Sequence, residues 1–170
     1  MKDMKDQARV DVIVGDEDCL TDLFEVVAIL KENRVQVRWI VDIGLWGAVL
    51  VLEKYEILYE VRGPSITDNP SVILSACNNE RTDAAQMLWT AWARSRRAKG
   101  GSIIPIIWYK KTSAGSIRPN MLGYSPDVLI LNYEFLEKSA RQYYPNVEIA
   151  VVGQDKDTAK LIAAEVMKYL

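Results

Sequence analysis

Side chains able to do chemistry collect at the ends of the apolar runs in this sequence. Asp16, Glu17 and Asp18 follow the run over residues 10–14, Asp42 follows 35–41, and Asn78, Asn79 and Glu80 follow 71–76. Asn132 and Glu134 follow 128–131, and Gln154, Asp155 and Asp157 follow 147–152. Carboxylate and carboxamide oxygens are the donors that hard divalent cations take. Asp16, Asp18, Asn132 and Asp155 are therefore candidate ligands for Mg²⁺, and a metal held there would support phosphoryl transfer or hydrolysis. The same residue types also serve strand-to-helix turns and helix N-caps through purely local hydrogen bonds, which is the structural reading of the pattern. A phosphate cradle is missing. Neither GxxxxGK[ST] nor GxGxxG occurs, and Gly100-Gly101 precedes a predicted strand instead of a helix.

The chain has 170 residues and no histidine. That excludes a Ser-His-Asp triad, a Cys-His dyad, an imidazole base and histidine-ligated zinc or haem within it. Its two cysteines, Cys19 and Cys77, are too few for a disulfide framework or a four-thiolate zinc site. Cys77, at the end of a predicted strand and the start of a predicted helix, is where a thiolate would be stabilised, although no histidine base is available to assist it.

The second concentration of chemistry is charge. Residues 84–126 contain no acid and seven bases, Arg94, Arg96, Arg97, Lys99, Lys110, Lys111 and Arg118, within a chain of 21 basic and 23 acidic side chains. The block carries +7 and the remainder −9, a division that the net charge of −2 hides. Cations at the C-terminal end of a helix interact favourably with its dipole, which accounts for one or two of these charges more readily than for four in six residues. Trp89, Trp92, Trp108, Tyr109 and Tyr124 lie in the same block. Cations interleaved with aromatic faces suit single-stranded nucleic acid, and they equally suit an anionic protein surface or self-association. With a pI near 5.3, long-range attraction to polyphosphate is weaker than in basic nucleic-acid modules, which favours a protein partner. In that reading Trp92 and Trp108 provide apolar anchoring beside the cations.

The elements that must position these groups alternate between the two periodicities. Strands are predicted over 10–14, 35–41, 57–61, 71–76, 103–109, 128–131 and 147–152. Helices are predicted from Leu20 to a stop near Asn33, over 45–55, from 78–83 to Gly100, over 135–143 and over 158–169. This alternation is the mark of a mostly parallel sheet flanked by helices, a single Rossmann-like three-layer α/β domain. Pro105 donates no ladder hydrogen bond and so is expected at an edge or bulge, and one antiparallel edge strand is expected. Residues 1–9 read as a flexible terminus and 111–125 as an irregular loop. At 49% apolar content, such a chain buries roughly two thirds of its unfolded surface without needing a disulfide or metal.

The segments VIVGDEDCL, from Val12, and PDVLILNYEFLEKSARQYYPNVEIAVV, from Pro126, resemble pieces of a receiver domain. The position matching that family's phosphorylated aspartate is Asn132, and the one matching its hydroxyl residue is Gly153, so the resemblance does not extend to phosphoacceptor chemistry. VILSAC, from Val72, resembles the nucleophile strand of caspase-like cysteine peptidases, whose second catalytic residue is a histidine that this chain lacks. The N-terminal residues carry Lys2, Asp3, Lys5 and Asp6 with no apolar core of a secretory signal. The longest uncharged apolar run, residues 43–52, is half the ~20 residues a membrane-spanning helix requires. A cytoplasmic protein with no membrane contact is expected. Its function is expected to be non-catalytic docking through the basic face, with nucleic-acid binding or a Mg²⁺-dependent site at the strand ends as the alternatives.

Overall fold

The computed structural model describes residues 8–14, 20–41, 46–61, 70–77, 90, 92, 93, 95, 103–109 and 126–170. In chain order the elements are β1 (Arg9–Val14), α1 (Leu20–Glu32), β2 (Gln36–Val41), α2 (Trp46–Lys54), β3 (Tyr59–Val61), β4 (Val72–Cys77) and β5 (Ile104–Tyr109). They continue with β6 (Val128–Leu131), a 3₁₀ turn (Glu134–Leu136), α3 (Glu137–Tyr143), β7 (Glu148–Val151) and α4 (Thr158–Met167). Thr90, Trp92, Ala93 and Ser95 are helical as well. Arg9, read from the sequence as part of a flexible terminus, opens β1 instead.

The seven strands form one sheet in the order β3-β2-β1-β4-β5-β6-β7. Every pairing is parallel, including β2 with β3 and β6 with β7, so the expected antiparallel edge strand is absent from this sheet. Chain direction explains this at both edges: β2 reaches β3 through α2 and β6 reaches β7 through α3, and such a crossover returns the chain to the same end of the sheet. Pro105 also departs from expectation, because it sits in β5, between β4 and β6. Ile104 N donates to Ser71 O on the β4 side, so the missing Pro105 donor falls on the β6 side. On that side Pro105 takes part as an acceptor, its O bonded by Asp127 N at 3.0 Å, and the paired register starts at Ile106 opposite Val128.

Alternation along the strands sends side chains to two buried faces, which is why these strands read as almost unbroken apolar runs. On one face Val10, Val12 and Val14, Trp39 and Val41, Leu74, Ile106, Trp108 and Ile130 meet the inner stripes of α1 and α4. The α1 stripe is Leu20, Leu23, Val26, Val27 and Leu30, spaced three and four apart as one helical face requires. Its counterpart on α4 is Ala159, Ile162, Ala163 and Val166, and the two helices pack against each other. On the other face Leu136, Ala140 and Tyr144 cover Ile107, Tyr109, Leu129 and Leu131, while Ala93 and Trp92 cover Ile13, Ile40, Ile73 and Ile103.

Both α1 and α2 stop in the same way. After α1, Arg34 N donates to Lys31 O and Val35 N to Leu30 O, with Arg34 at φ 62°. After α2, Glu56 N donates to Glu53 O and Ile57 N to Leu52 O, with Glu56 at φ 55°. This pair of bonds closes a helix through one left-handed residue, a position where glycine avoids the Cβ clash. Arg34→Gly and Glu56→Gly are each expected to raise unfolding free energy by about 0.5–1 kcal/mol, net of glycine's greater freedom in the unfolded chain, as read from urea midpoints.

Candidate functional site

Strand order reverses between β1 and β4, and in open parallel sheets the crevice beyond the carboxyl ends at such a point is where ligands sit. The segments that leave those two strands, 15–19 and 78–89, lie outside the described residues. Asp16 and Asp18 therefore fall outside them. Cys77 closes β4, but its side chain is likewise outside the description.

Further along the same carboxyl edge, a cavity of about 260 Å³ opens beyond β6 and β7 and is lined by Asp22, Asn132, Gln154, Asp155 and Thr158. Asn132 follows Leu131 and alternates onto the face covered by α1 and α4, where only 3% of it is exposed. Its Oδ1 accepts from Trp108 Nε1 at 2.5 Å and its Nδ2 donates to Gly153 O at 3.0 Å. Asn132 is thus a clamp that ties the ends of β5, β6 and β7 together. Gly153 turns the chain at φ +76°, a conformation that suits a residue without Cβ. The turn is closed by Thr158, whose Oγ1 donates to Gly153 O and accepts from Asp155 N, each at 3.0 Å. Asp155 Oδ1 accepts from Asp157 N at 2.7 Å. Tyr133 OH donates to Gln154 Oε1 at 2.7 Å, and the Tyr133 ring stacks on the exposed Phe135 at 5.2 Å between centroids.

Two of the four proposed metal ligands, Asn132 and Asp155, thus line one cavity. They do so mainly as turn and clamp residues: both ends of the Asn132 amide are engaged, and Asp155 is bonded to the start of α4. Asp22, in the first turn of α1, was not foreseen as a lining residue, because nothing in the sequence says that the starts of α1 and α4 meet. Among the described residues no group of three or more Asp, Glu, Cys or His side chains is placed to hold a metal ion.

Of the residues named for the expected basic face, only Trp92 and Trp108 lie among the described residues. Trp108 is fully buried in the sheet, with its indole N–H committed to Asn132, so it is a core residue and not a surface anchor. Its place in β5 explains this: positions 106 and 108 both face the layer of α1 and α4. Trp92 is partly buried against the Ile13, Ile40 and Ile73 cluster. Arg94, Arg96, Arg97, Lys99, Lys110, Lys111 and Arg118 lie outside the described residues, as does the loop expected over 111–125. In sequence Lys99 precedes β5 and Lys110 directly follows it.

One charged network went unforeseen. Asp11, fully buried in β1, accepts from Arg38 Nε at 3.0 Å, Arg38 Nη2 at 2.6 Å and Arg9 Nε at 3.1 Å. Parallel pairing sets Asp11 opposite Arg38, and strand alternation puts Arg9 on the same face. In the sequence Asp11 shows only as an interruption in a β-branched run.

No protein-family model matches the chain, and no curated protein matches it. Among solved structures, MurG of Acinetobacter baumannii is similar over 92% of this chain and 70% of that one, at 9% identity and a TM-score of 0.43. The parallel sheet flanked by helices is an α/β, Rossmann-like architecture on its own strand order. Among the described residues no helix is long and apolar enough to cross a membrane.

Proposed function

We propose that this chain is a non-catalytic binding module that docks onto an anionic protein surface through the basic segment over residues 84–126. The observation that carries this reading is the absence of any acid from 43 consecutive positions holding seven cations, in a chain with a surplus of carboxylates elsewhere. Cations outside the segment show the contrast. Arg9 and Arg38 are paired with Asp11, Arg141 with Glu137 and Lys168 with Glu165. Within the segment no carboxylate is near in sequence to neutralise its neighbours, so the field must be answered by distant acids or by a partner. The cations fall into two sequence clusters, Arg94–Lys99 and Lys110–Lys111, and removing either one is expected to weaken binding without abolishing it.

The metal-dependent reading has less behind it, since Asn132, central to that ligand set, already spends its amide on Trp108 and Gly153. The test uses immobilised polyglutamate and a single-stranded oligonucleotide as competing anionic surfaces. The protein is expected to be held by polyglutamate at about 50 mM salt and released by about 300 mM, as screening shortens the range of its field. The variant R96E/R97E/K110E/K111E should pass unretained with an unaltered circular dichroism melt. Retention of that variant would overturn the proposal, and tighter binding to the oligonucleotide at equal salt would replace the protein partner with nucleic acid.

A further inference from the structure

At the opposite, amino-terminal edge of the sheet lies a larger cavity of about 590 Å³, formed where α3 turns into β7 and where α4 ends. Its walls include Asp127, Tyr143, Tyr144, Pro145, Glu148 and Tyr169. Asp127 precedes β6 and Glu148 opens β7, and parallel pairing brings them side by side, with Glu148 N donating to Asp127 O at 3.1 Å. Tyr169, two residues beyond α4, donates its hydroxyl to Glu148 Oε2 at 2.8 Å. Tyr144 is buried against Ile107 and Leu129, whereas Tyr143 beside it is 42% exposed.

Among the described residues the lining has two carboxylates and three tyrosines and no cation, while Lys168, paired with Glu165, stands near enough to Glu148 to feel its charge. A carboxylate supplies full negative charge and an aromatic face supplies a negative quadrupole, and both select for a cation with an apolar skin. The volume falls within the range of small-molecule sites, too large for a bare metal ion. Burial, the hydrogen bond to Glu148 and the charges of Glu148, Glu165 and Asp127 push the Tyr169 phenol above its usual range, so it stays a neutral proton donor. It thereby holds the Glu148 carboxylate in place beside the rings.

From this geometry we infer that the cavity between α3, β7 and the end of α4 binds an organic cation, an alkylammonium or guanidinium head group. The inference is independent of the basic segment and concerns a ligand of the opposite sign. The head group could be a free small molecule or the side chain of a partner protein, and the test separates these sources.

Nitrogen-15 correlation spectra of the full chain are followed during titration with choline, Nα-acetyl-arginine amide and the neutral Nα-acetyl-norleucine amide. The two cations are expected to shift the backbone amides of Val147, Glu148 and Tyr169 saturably, and the neutral compound is not. Glu148→Gln removes the charge while keeping the shape and should weaken the cations about fivefold, the effect of one partly exposed charge. Tyr143→Ala, at an exposed position, should weaken them about threefold through loss of a ring. Tighter binding of choline than of the arginine amide assigns the site to free quaternary amines, and the reverse order assigns it to a basic side chain. Equal shifts with the norleucine compound, no shift with either cation, or unchanged affinity in both variants would overturn the inference.

Discussion

Asp11→Ala is expected to lower unfolding free energy by about 3–5 kcal/mol, the largest loss of any exposed-or-buried charge in the described structure. The carboxylate is wholly buried, and it is the common acceptor for Arg9 and Arg38, whose side chains are only 22% and 18% exposed. Removing one partner of a buried ion pair leaves the other charge without compensation, which is costlier than the pair was ever stabilising. Arg9 and Arg38 would both lose the buried acceptor they share. Urea unfolding of Asp11→Ala, Arg38→Met and the double variant measures this as a coupling. The double variant should recover more than 1 kcal/mol relative to the sum of the single losses. Additive losses would show that Asp11 and Arg38 are not coupled, and a loss below about 1 kcal/mol for Asp11→Ala would refute the role of the network in stability.

Trp108→Ala is expected to cost a similar amount, about 3–5 kcal/mol, for a different reason. Truncation leaves a cavity in the layer beneath α1 and α4 and strands the Asn132 oxygen in a buried place. Trp108→Phe isolates the second part: it keeps most of the ring volume and removes the N–H, for an expected loss of about 1–3 kcal/mol. Thermal melts that place Trp108→Ala within about 1 kcal/mol of the parent would refute its placement in the core, and with it the assignment of Asn132 as a clamp.

The elements were legible because most are short and sharply bounded. The run VLIL is β6 to the residue, and α1 starts at Leu20 where its apolar stripe begins. The ambiguous stretch around 45–55 is helical over Trp46–Lys54, a choice that periodicity cannot make when nearly every position is apolar. What failed was anything depending on strand neighbours. The parallel edge β3, the interior site of Pro105 and the burial of Trp108 all follow from which strands lie side by side, and a local pattern carries no such information. Trp108 is the clearest case. Among lysines and arginines it reads as an interface residue, yet β5 lies between β4 and β6 with both of its faces covered, so either alternation would have buried it. For the same reason Asn132 and Asp155 could be named as strand-end residues, while their meeting with Asp22 and Thr158 needed the packing of α1 against α4.

The reversal of strand order between β1 and β4 also bears on how the chain reaches this state. Val10 pairs with Val37 on one side and with Val72 on the other. The second contact closes a much longer loop, whose entropy must be lost before any burial repays it. Pairing within β1 to β3, and within β4 to β7, links successive strands across a single crossover, whereas the β1–β4 seam joins the two groups. The β1–β4 seam is the pairing of greatest sequence separation in the sheet, so its closure carries the largest loop-entropy cost of any strand contact.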